Sequence, residues 1–393
     1  MTASPITPRL RILMLLESEF PLQRGGGSEI QVRTLGEALV RRGHRVSVLT
    51  PRLARGPQAT ASRHGRLAVG RIAYPRVRVL GSLVLLARLG AFLVRHGRRY
   101  DVVHVHIAHH LAVVVCAVAP WARLRSVIKV SGWWELGQGL MRPDPGLFAR
   151  ALRPLWRRAD AWQAISTRIA GSLAGLGIAP ERIHALPNAV DLARFAPPGT
   201  AREPTAPLTF VYVGRLSQEK GVEILLRAWA EVFAQRPDRR LWLVGTGPAG
   251  DALEALAATL GCAGNVEFLG HRADVAPVIG AADCGLLPSF MEGLSNTLLE
   301  FMASGLPVIA SRVSGSEDLV RPGSNGWLHE PGDVQSLAAA LRAAGATPRE
   351  AIATMGRHAR ADVERYAGVD DVVDRLLGLY APGAFARFAV SGG

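Results

Sequence analysis

Short apolar runs alternate with longer segments of helical period along most of the chain. Leu10–Leu16 is apolar and leads to a glycine cluster, Gly25-Gly26-Gly27. From Glu29 to Arg42, the residues Ile30, Leu35, Leu39 and Val40 fall near helical spacing, and Gly43 stops the pattern before the next run, Val46–Leu49. A strand, a helix and a strand in this order predict a βαβ unit and a parallel sheet. The pattern repeats: Ser82 to His96 reads as a helix, Val102–Val105 as a strand, Leu111–Val118 as a helix and Val127–Val130 as a strand. Leu152–Arg158 continues a helical stretch, Ala161–Ile165 is another strand, Ser166 caps a further helix, and Ile183–Leu186 closes the half.

Pro187 to Pro207 holds five prolines and no apolar periodicity, which predicts a connection between domains. A second series follows. Strands are predicted at Phe210–Val213, Leu241–Val244, Val266–Leu269, Cys284–Leu287 and Val308–Ala310. Helices are predicted at Val222–Ala234, Asp251–Leu260, Val275–Ala281 and Asn296–Ser304. Short strands that are apolar throughout fit sheets covered on both faces. The expected organisation is an N-terminal α/β domain over 1–190, a linker over 191–207 and a C-terminal α/β domain over 208–393, its final helix able to cross back. Two such domains facing each other would form a cleft at the carboxyl ends of their strands. Ala381 to Gly393 is weakly patterned.

The length of 393 residues and a hydrophobic share of 49% suffice for two packed domains. Cys116, Cys262 and Cys284 fit no CxxC or metal spacing, so a reducing cytosol is the expected compartment. Met1 to Arg11 lacks the apolar stretch of a signal peptide. No segment offers about 18 uninterrupted apolar residues, and the longest run, Leu111 to Ala122, reads as a buried helix. The expectation is a cytoplasmic protein that is soluble or lies on the inner membrane leaflet without crossing it.

The net charge of +14 is uneven. Residues 1–195 carry 29 Lys+Arg against 10 Asp+Glu, a balance of +19, and residues 196–393 carry 17 against 22, a balance of −5. Such asymmetry points to an anionic partner for the first half. An arginine-rich composition is the competing explanation, since Lys129 and Lys220 are the only lysines.

Two constellations carry chemistry. Pro288 to Ser311 reads strand end, loop, helix, turn and strand, with Glu292-Gly293-Leu294 ahead of a helix N-terminus that Ser295 or Asn296 would cap. Free N–H groups there suit an anion. Glu292 could accept hydrogen bonds from sugar hydroxyls, and Glu300, about two turns into the helix, from the two hydroxyls of a ribose. In Val213-Gly214-Arg215-Leu216-Ser217-Gln218-Glu219-Lys220-Gly221, Arg215 offers a bidentate fork and Lys220 a point charge for a diphosphate. Two fixed cations would stabilise a leaving diphosphate without a metal.

With these residues the chain resembles glycosyltransferase family 4, the retaining transferases of the GT-B fold. The resemblance runs from about Leu10 to Glu330. It rests on Gly25-Gly26-Gly27-Ser28-Glu29, Asp101-Val-Val-His-Val-His106, Leu186-Pro-Asn188-Ala-Val-Asp191 with Phe195, Gly214-Arg215-Leu216, Lys220-Gly221, Val244-Gly245-Thr246-Gly247-Pro248, Phe268-Leu269-Gly270, the glutamate pair and Asn325-Gly326. It implies two Rossmann-like domains with parallel sheets, and a nucleotide-sugar donor bound by the C-terminal one. Arg215 and Lys220 would bind the donor diphosphate, Glu292 the sugar beside the N–H groups of Gly293, Leu294 and Ser295, and Glu300 the ribose. Gly26 and Gly27 would approach the phosphates from the N-terminal domain. No metal or cofactor is implied, and UDP is expected over GDP from family frequency alone.

One departure stands out. Family members often carry a histidine after the strand ending here at Val130, where this chain has Ser131-Gly132-Trp133-Trp134. His106, Ser131, Trp133 and Trp134 are acceptor-side candidates, with packed tryptophans the competing reading. His104, His106, His109 and His110 invite a metal cluster, but no carboxylate or cysteine sits at matching spacing, so strand-end hydrogen bonding beside the cleft is expected instead. Retention without an enzyme nucleophile leaves a front-face route, in which the leaving phosphate oxygen takes the acceptor proton. Arg76, Arg78, Arg88, Arg95, Arg98 and Arg99 flank or punctuate the apolar stretch Val79 to Val94. That pattern fits a helix on an anionic lipid surface and a glycolipid, lipid-linked glycan or exopolysaccharide acceptor, against a helix simply packed in the domain. The rival functions are transfer to a small-molecule acceptor, a GT-B-like sugar-nucleotide epimerase, and a non-catalytic basic binding protein. No nucleic-acid motif is present.

Overall fold

The computed structural model describes residues 9–21, 26–53, 59–137, 139–142, 146–199 and 206–381. It divides into two units, 1–189 with 369–393 and 190–368.

In the first unit, the predicted alternation gives β1 (Arg11–Leu15), α1 (Gly27–Arg41) and β2 (Arg45–Pro51). Then come β3 (Ala61–His64), β4 (Leu67–Ile72), α2 (Arg78–His96), β5 (Val102–Val105), α3 (His110–Ala122) and β6 (Arg125–Val130). The series ends with α4 (Trp133–Gly137), α5 (Leu147–Trp156), β7 (Ala161–Ala164), α6 (Thr167–Gly175) and β8 (Ile183–Ala185). Strand order is β3-β4-β2-β1-β5-β6-β7-β8, parallel except for the β3–β4 pair. The hydrophobic pattern did not predict β3 and β4. The reason is visible in β3, an exposed edge strand, Ala-Ser-Arg-His, with no apolar face to bury.

The second unit contains β9 (Leu208–Val213), α7 (Val222–Phe233), β10 (Arg239–Val244), α8 (Gly250–Thr259), β11 (Val266–Gly270), α9 (Ala276–Gly280) and β12 (Cys284–Leu287). It continues through α10 (Asn296–Ala303), β13 (Val308–Ser311), α11 (Ser314–Leu319), β14 (Gly326–His329), α12 (Val334–Ala346) and α13 (Arg349–Ala367). Its parallel sheet has the order β11-β10-β9-β12-β13-β14. Strands such as β12 and β13 are buried throughout, as helices on both faces require.

The partition departs from the expected boundaries at the linker, and the final helix, expected to be able to cross back, lies with the first unit. Residues 191–199, expected to be linker, pack in the second unit. Phe195 is buried there, and the Arg360 guanidinium donates to the carbonyls of Leu192 (3.2 Å) and Phe195 (2.7 Å). The last helix, α14 (Val369–Tyr380), belongs to the first unit. It buries Val372, Val373, Leu376, Leu377 and Tyr380 in the same core as Val32, Leu35 and Leu39 of α1. Arg42 pairs with Asp370 (3.1 Å) and Asp374. The tail beyond Ala381 lies outside the described residues.

Helix α2 corrects another expectation. The stretch Val79–Arg99 is long and apolar enough to cross a membrane by length and composition, and 17% of it is buried. Counting only uninterrupted apolar runs missed this, because Arg88, Arg95 and the glycines break the run without making it polar. Leu89 and Leu93 are buried. Val79, Leu80, Leu83 and Val94 are exposed, as is Trp121 on the neighbouring α3, at 80%. Helix α3 itself buries Leu111, Ala112, Val115, Cys116 and Ala119, as expected of the longest apolar run.

Candidate active site

Each sheet reverses its strand order once, and chemistry-bearing residues gather at both reversals. In the second unit the chain runs from β9 outward to β10 and β11, then returns to the other side of β9 with β12. Loops leaving the carboxyl ends of β9 and β12 therefore diverge, and such a point is where open α/β sheets bind ligands. The first loop carries Arg215 and Lys220 and the second carries Glu292.

Glycines let these loops close on one another. Gly221 has φ of +68°, and a Cβ there would stand 2.1 Å from the Pro288 carbonyl oxygen. It ends the short 3-10 turn Gln218–Lys220, whose Glu219 carbonyl accepts the Phe290 N–H at 3.0 Å. That contact brings Lys220 Nζ to Glu292 Oε1 at 2.7 Å, the two side chains being 29% and 13% exposed. Arg215 is exposed at the start of the same loop, its carbonyl fixed by the Tyr212 hydroxyl at 2.8 Å. The Ser217 hydroxyl, 2.7 Å from Glu219 Oε1, holds that carboxylate below its ordinary range. Gly315 donates its N–H to the Gly293 carbonyl at 2.7 Å and steadies the glutamate loop from α11.

Ser295 occupies the N-cap position of α10 without forming a side-chain cap bond, so the expected cap is not made. Glu300 is half-buried and is the fifth residue of α10, little more than one turn in rather than two. Leu294 is buried. Gly26 is the N-cap and Gly27 the first residue of α1, in the first unit. Gly25 lies outside the described residues.

In the first unit the reversal falls between β1 and β5. Glu17 follows β1, and His109 and His110 follow β5. Glu17 Oε1 accepts the Leu111 N–H at 2.6 Å and Oε2 lies 3.0 Å from His109 Nδ1. His109 Nδ1 is also 2.8 Å from His110 Nδ1. Sequence spacing offered no carboxylate for these histidines, yet the fold supplies one from ninety residues away.

Behind this edge the polar groups are buried. The Glu135 carboxylate is fully buried, with Oε1 accepting from Ser131 N–H (2.8 Å), Ser131 Oγ (2.6 Å) and Gly132 N–H (2.8 Å), and Oε2 from Ala108 N–H (2.6 Å). Burial outweighs these bonds and pushes its pKa up to about 7. Burial likewise pushes Lys129 down to about 7. His104 shares a hydrogen bond with Tyr380 at 2.7 Å, and burial lowers its pKa to about 3. His106 stacks beside it, ring centroids 4.2 Å apart.

The acceptor-side candidates therefore separate. His106 is fully buried and directly follows the carboxyl end of β5. The Ser131 hydroxyl is committed to Glu135. Trp133 is half-buried, with the Arg168 guanidinium 5.4 Å from the centre of its ring. Trp134 is 40% exposed and stands edge-on to His109, centroids 5.4 Å apart.

Residues 25–194 match the family model described as Glycosyltransferase Family 4, and residues 207–345 match that of Glycosyl transferases group 1. The D-inositol 3-phosphate glycosyltransferase of Acidothermus cellulolyticus is 30% identical over 423 aligned positions, covering 96% of this chain and 91% of that one. The chain belongs to glycosyltransferase family 4. A family relative from Mycolicibacterium smegmatis, a GDP-mannose-dependent alpha-(1-6)-phosphatidylinositol monomannoside mannosyltransferase, is 28% identical across 88% of this chain and 93% of its own. Against three other relatives the chain spans about half of the relative's length, 48%, 53% and 42%. The fold is GT-B. Anabaena Alr3699/HepE, solved in complex with UDP, superposes with a TM-score of 0.76 at 22% identity, over 95% of this chain and 100% of that one.

Within the family frame, the residues expected to hold the donor, Arg215, Lys220, Glu292 and the Gly293–Ser295 loop, converge at one strand reversal. Glu17 and Glu135 were missed by sequence reading. Their only local signals are a carboxylate two residues past a strand end and one four residues past Ser131, and both are common without function.

Proposed function

We propose that this chain is a retaining hexosyltransferase that moves a sugar from a nucleoside-diphosphate sugar to a hydroxyl of a cell-envelope glycolipid, lipid-linked glycan or polysaccharide precursor. The observation that carries this reading is the Lys220–Glu292 pair, 2.7 Å apart, beside exposed Arg215 where β9 and β12 diverge. An ion pair so placed is an exchangeable one. A diphosphate gives Lys220 a stronger partner, and Glu292 is then released to accept hydrogen bonds from sugar hydroxyls. Arg215 and Lys220 would neutralise the charge that develops on the leaving diphosphate, so the step needs no metal. The leaving phosphate oxygen would accept the proton of the incoming hydroxyl on the same face of the sugar, which preserves the anomeric configuration. HepE was solved with UDP and the mycobacterial relative is named for GDP-mannose, so both nucleotides belong in the donor panel. The test is nucleotide release and product anomer, followed by NMR. Release without transfer to any glycan or lipid acceptor, or an inverted product, overturns the reading.

The acceptor class is supported by α2. Between Glu37 and Asp101 the chain carries fourteen arginines and no acidic residue. Exposed Val79, Leu80, Leu83 and Val94 lie within the same segment, and exposed Trp121 is on the neighbouring α3. Exposed apolar side chains in an arginine-rich segment suit the headgroup region of an anionic leaflet on the cytoplasmic side. Flotation with phosphatidylglycerol vesicles at low salt is the check. Binding should be weakened several-fold by Leu83→Asp with Trp121→Ala, and failure of the unaltered protein to float removes the membrane claim.

A further inference from the structure

We propose that the first unit holds a divalent transition-metal ion of the zinc class, bound by Nδ1 of His109, Nδ1 of His110 and one carboxylate oxygen of Glu17. The three ligand atoms lie within 4.8 Å of one another. They sit where β1 and β5 diverge, the topological position at which the second unit places its own charged cluster.

Hydrogen bonding alone does not satisfy this group. His109 Nδ1 has a single in-plane position, carrying either a proton or a lone pair. It faces two partners, Glu17 Oε2 at 3.0 Å and His110 Nδ1 at 2.8 Å. A proton placed there serves one of them well and leaves the other poorly paired. A cation at the centre of the three atoms satisfies all of them at once.

The surroundings fix the ligands as metal sites require. Glu17 is aimed by the Leu111 N–H on its other oxygen. Trp134 stands edge-on to the His109 ring. The Ala108 N–H, just ahead in the loop, is held by buried Glu135. Zn–N distances of about 2.0–2.1 Å place tetrahedral ligands roughly 3.3 Å apart, so His110, which is exposed, needs to swing out by about half an ångström. Two imidazoles and a carboxylate favour zinc, copper or nickel over magnesium, and three protein ligands leave a fourth position open. The diphosphate is left to Arg215 and Lys220, so this inference stands or falls independently of the donor site.

The test uses the untagged full-length protein, stripped with chelator and titrated with zinc sulfate at pH 7.5 by calorimetry, with cobalt substitution read by visible absorption. One zinc per chain, a raised melting temperature and tetrahedral cobalt bands are expected. Glu17→Gln keeps an acceptor for the Leu111 N–H, so α3 should begin as before, and zinc affinity should drop at least tenfold. His110→Ala should do the same. Absence of stoichiometric zinc, or unchanged affinity in both variants with the metal-free melting temperature preserved, overturns the proposal. Unaltered nucleotide release from these variants would leave the donor reading untouched.

Discussion

The two strand reversals occupy equivalent places in two similar sheets and carry opposite kinds of chemistry. At the β9–β12 reversal a lysine and a glutamate meet at 2.7 Å with water within reach, and an exposed arginine stands beside them. At the β1–β5 reversal stand partly buried Glu17 and His109 with exposed His110, while the lysine and glutamate nearby, Lys129 and Glu135, are buried. Topology decides where a site forms, and burial then decides what the charged groups there can do. Partly exposed charges stay solvated and can exchange partners with an anionic ligand. Buried ones lose their solvation, move towards neutrality and become part of the scaffold.

That contrast breaks most sharply under substitution. Arg215→Ala and Lys220→Ala should each lower turnover by about 10²–10³-fold, if each supplies charge stabilisation of ordinary strength. Arg215→Ala should barely move the melting temperature, because that side chain is exposed, whereas Lys220→Ala should lower it modestly by leaving the 13%-exposed Glu292 carboxylate without its partner. Nucleotide release alongside thermal melting measures both. A large loss of stability would mean that the pair is structural.

Glu135→Ala should behave the opposite way. It strands the N–H groups of Ala108, Ser131 and Gly132, and urea unfolding should record a loss of about 3 kcal/mol or more. Gly221→Ala tests how the second site is assembled. Its positive φ and the 2.1 Å approach to Pro288 O should cost about 1–3 kcal/mol and raise the KM for donor more than they lower kcat.

The pH dependence of Lys129 spreads its effect over several pH units. Its pKa falls from 10.5 to about 7 on folding, so between those values the unfolded chain binds more protons than the native one. Stability therefore rises with pH through that window, by at most ~1.4 kcal/mol per pH unit. Lys129→Met should flatten that slope and be relatively more stable at and below pH 7. A slope that persists in the variant would assign it to another group.

The βαβ alternation, the second sheet, most of the first and the two loops that meet at the β9–β12 reversal were legible in the chain, because each depends on local pattern. A strand pointing inward on both faces must be apolar throughout, and Arg215 with Lys220, or Glu292 with Glu300, lie within a few residues of each other. The exposed β3, with no face to bury, left no such mark. The crossing back of α14 was open from the sequence, because it depends on which distant core accepts Val373 and Tyr380. Only the tertiary structure carried Glu17 to His109, and only burial set Lys129, His104 and His106 apart from ordinary surface bases. Sequence spacing records neighbours along the chain, whereas ionisation and ligand geometry depend on neighbours across the sheet.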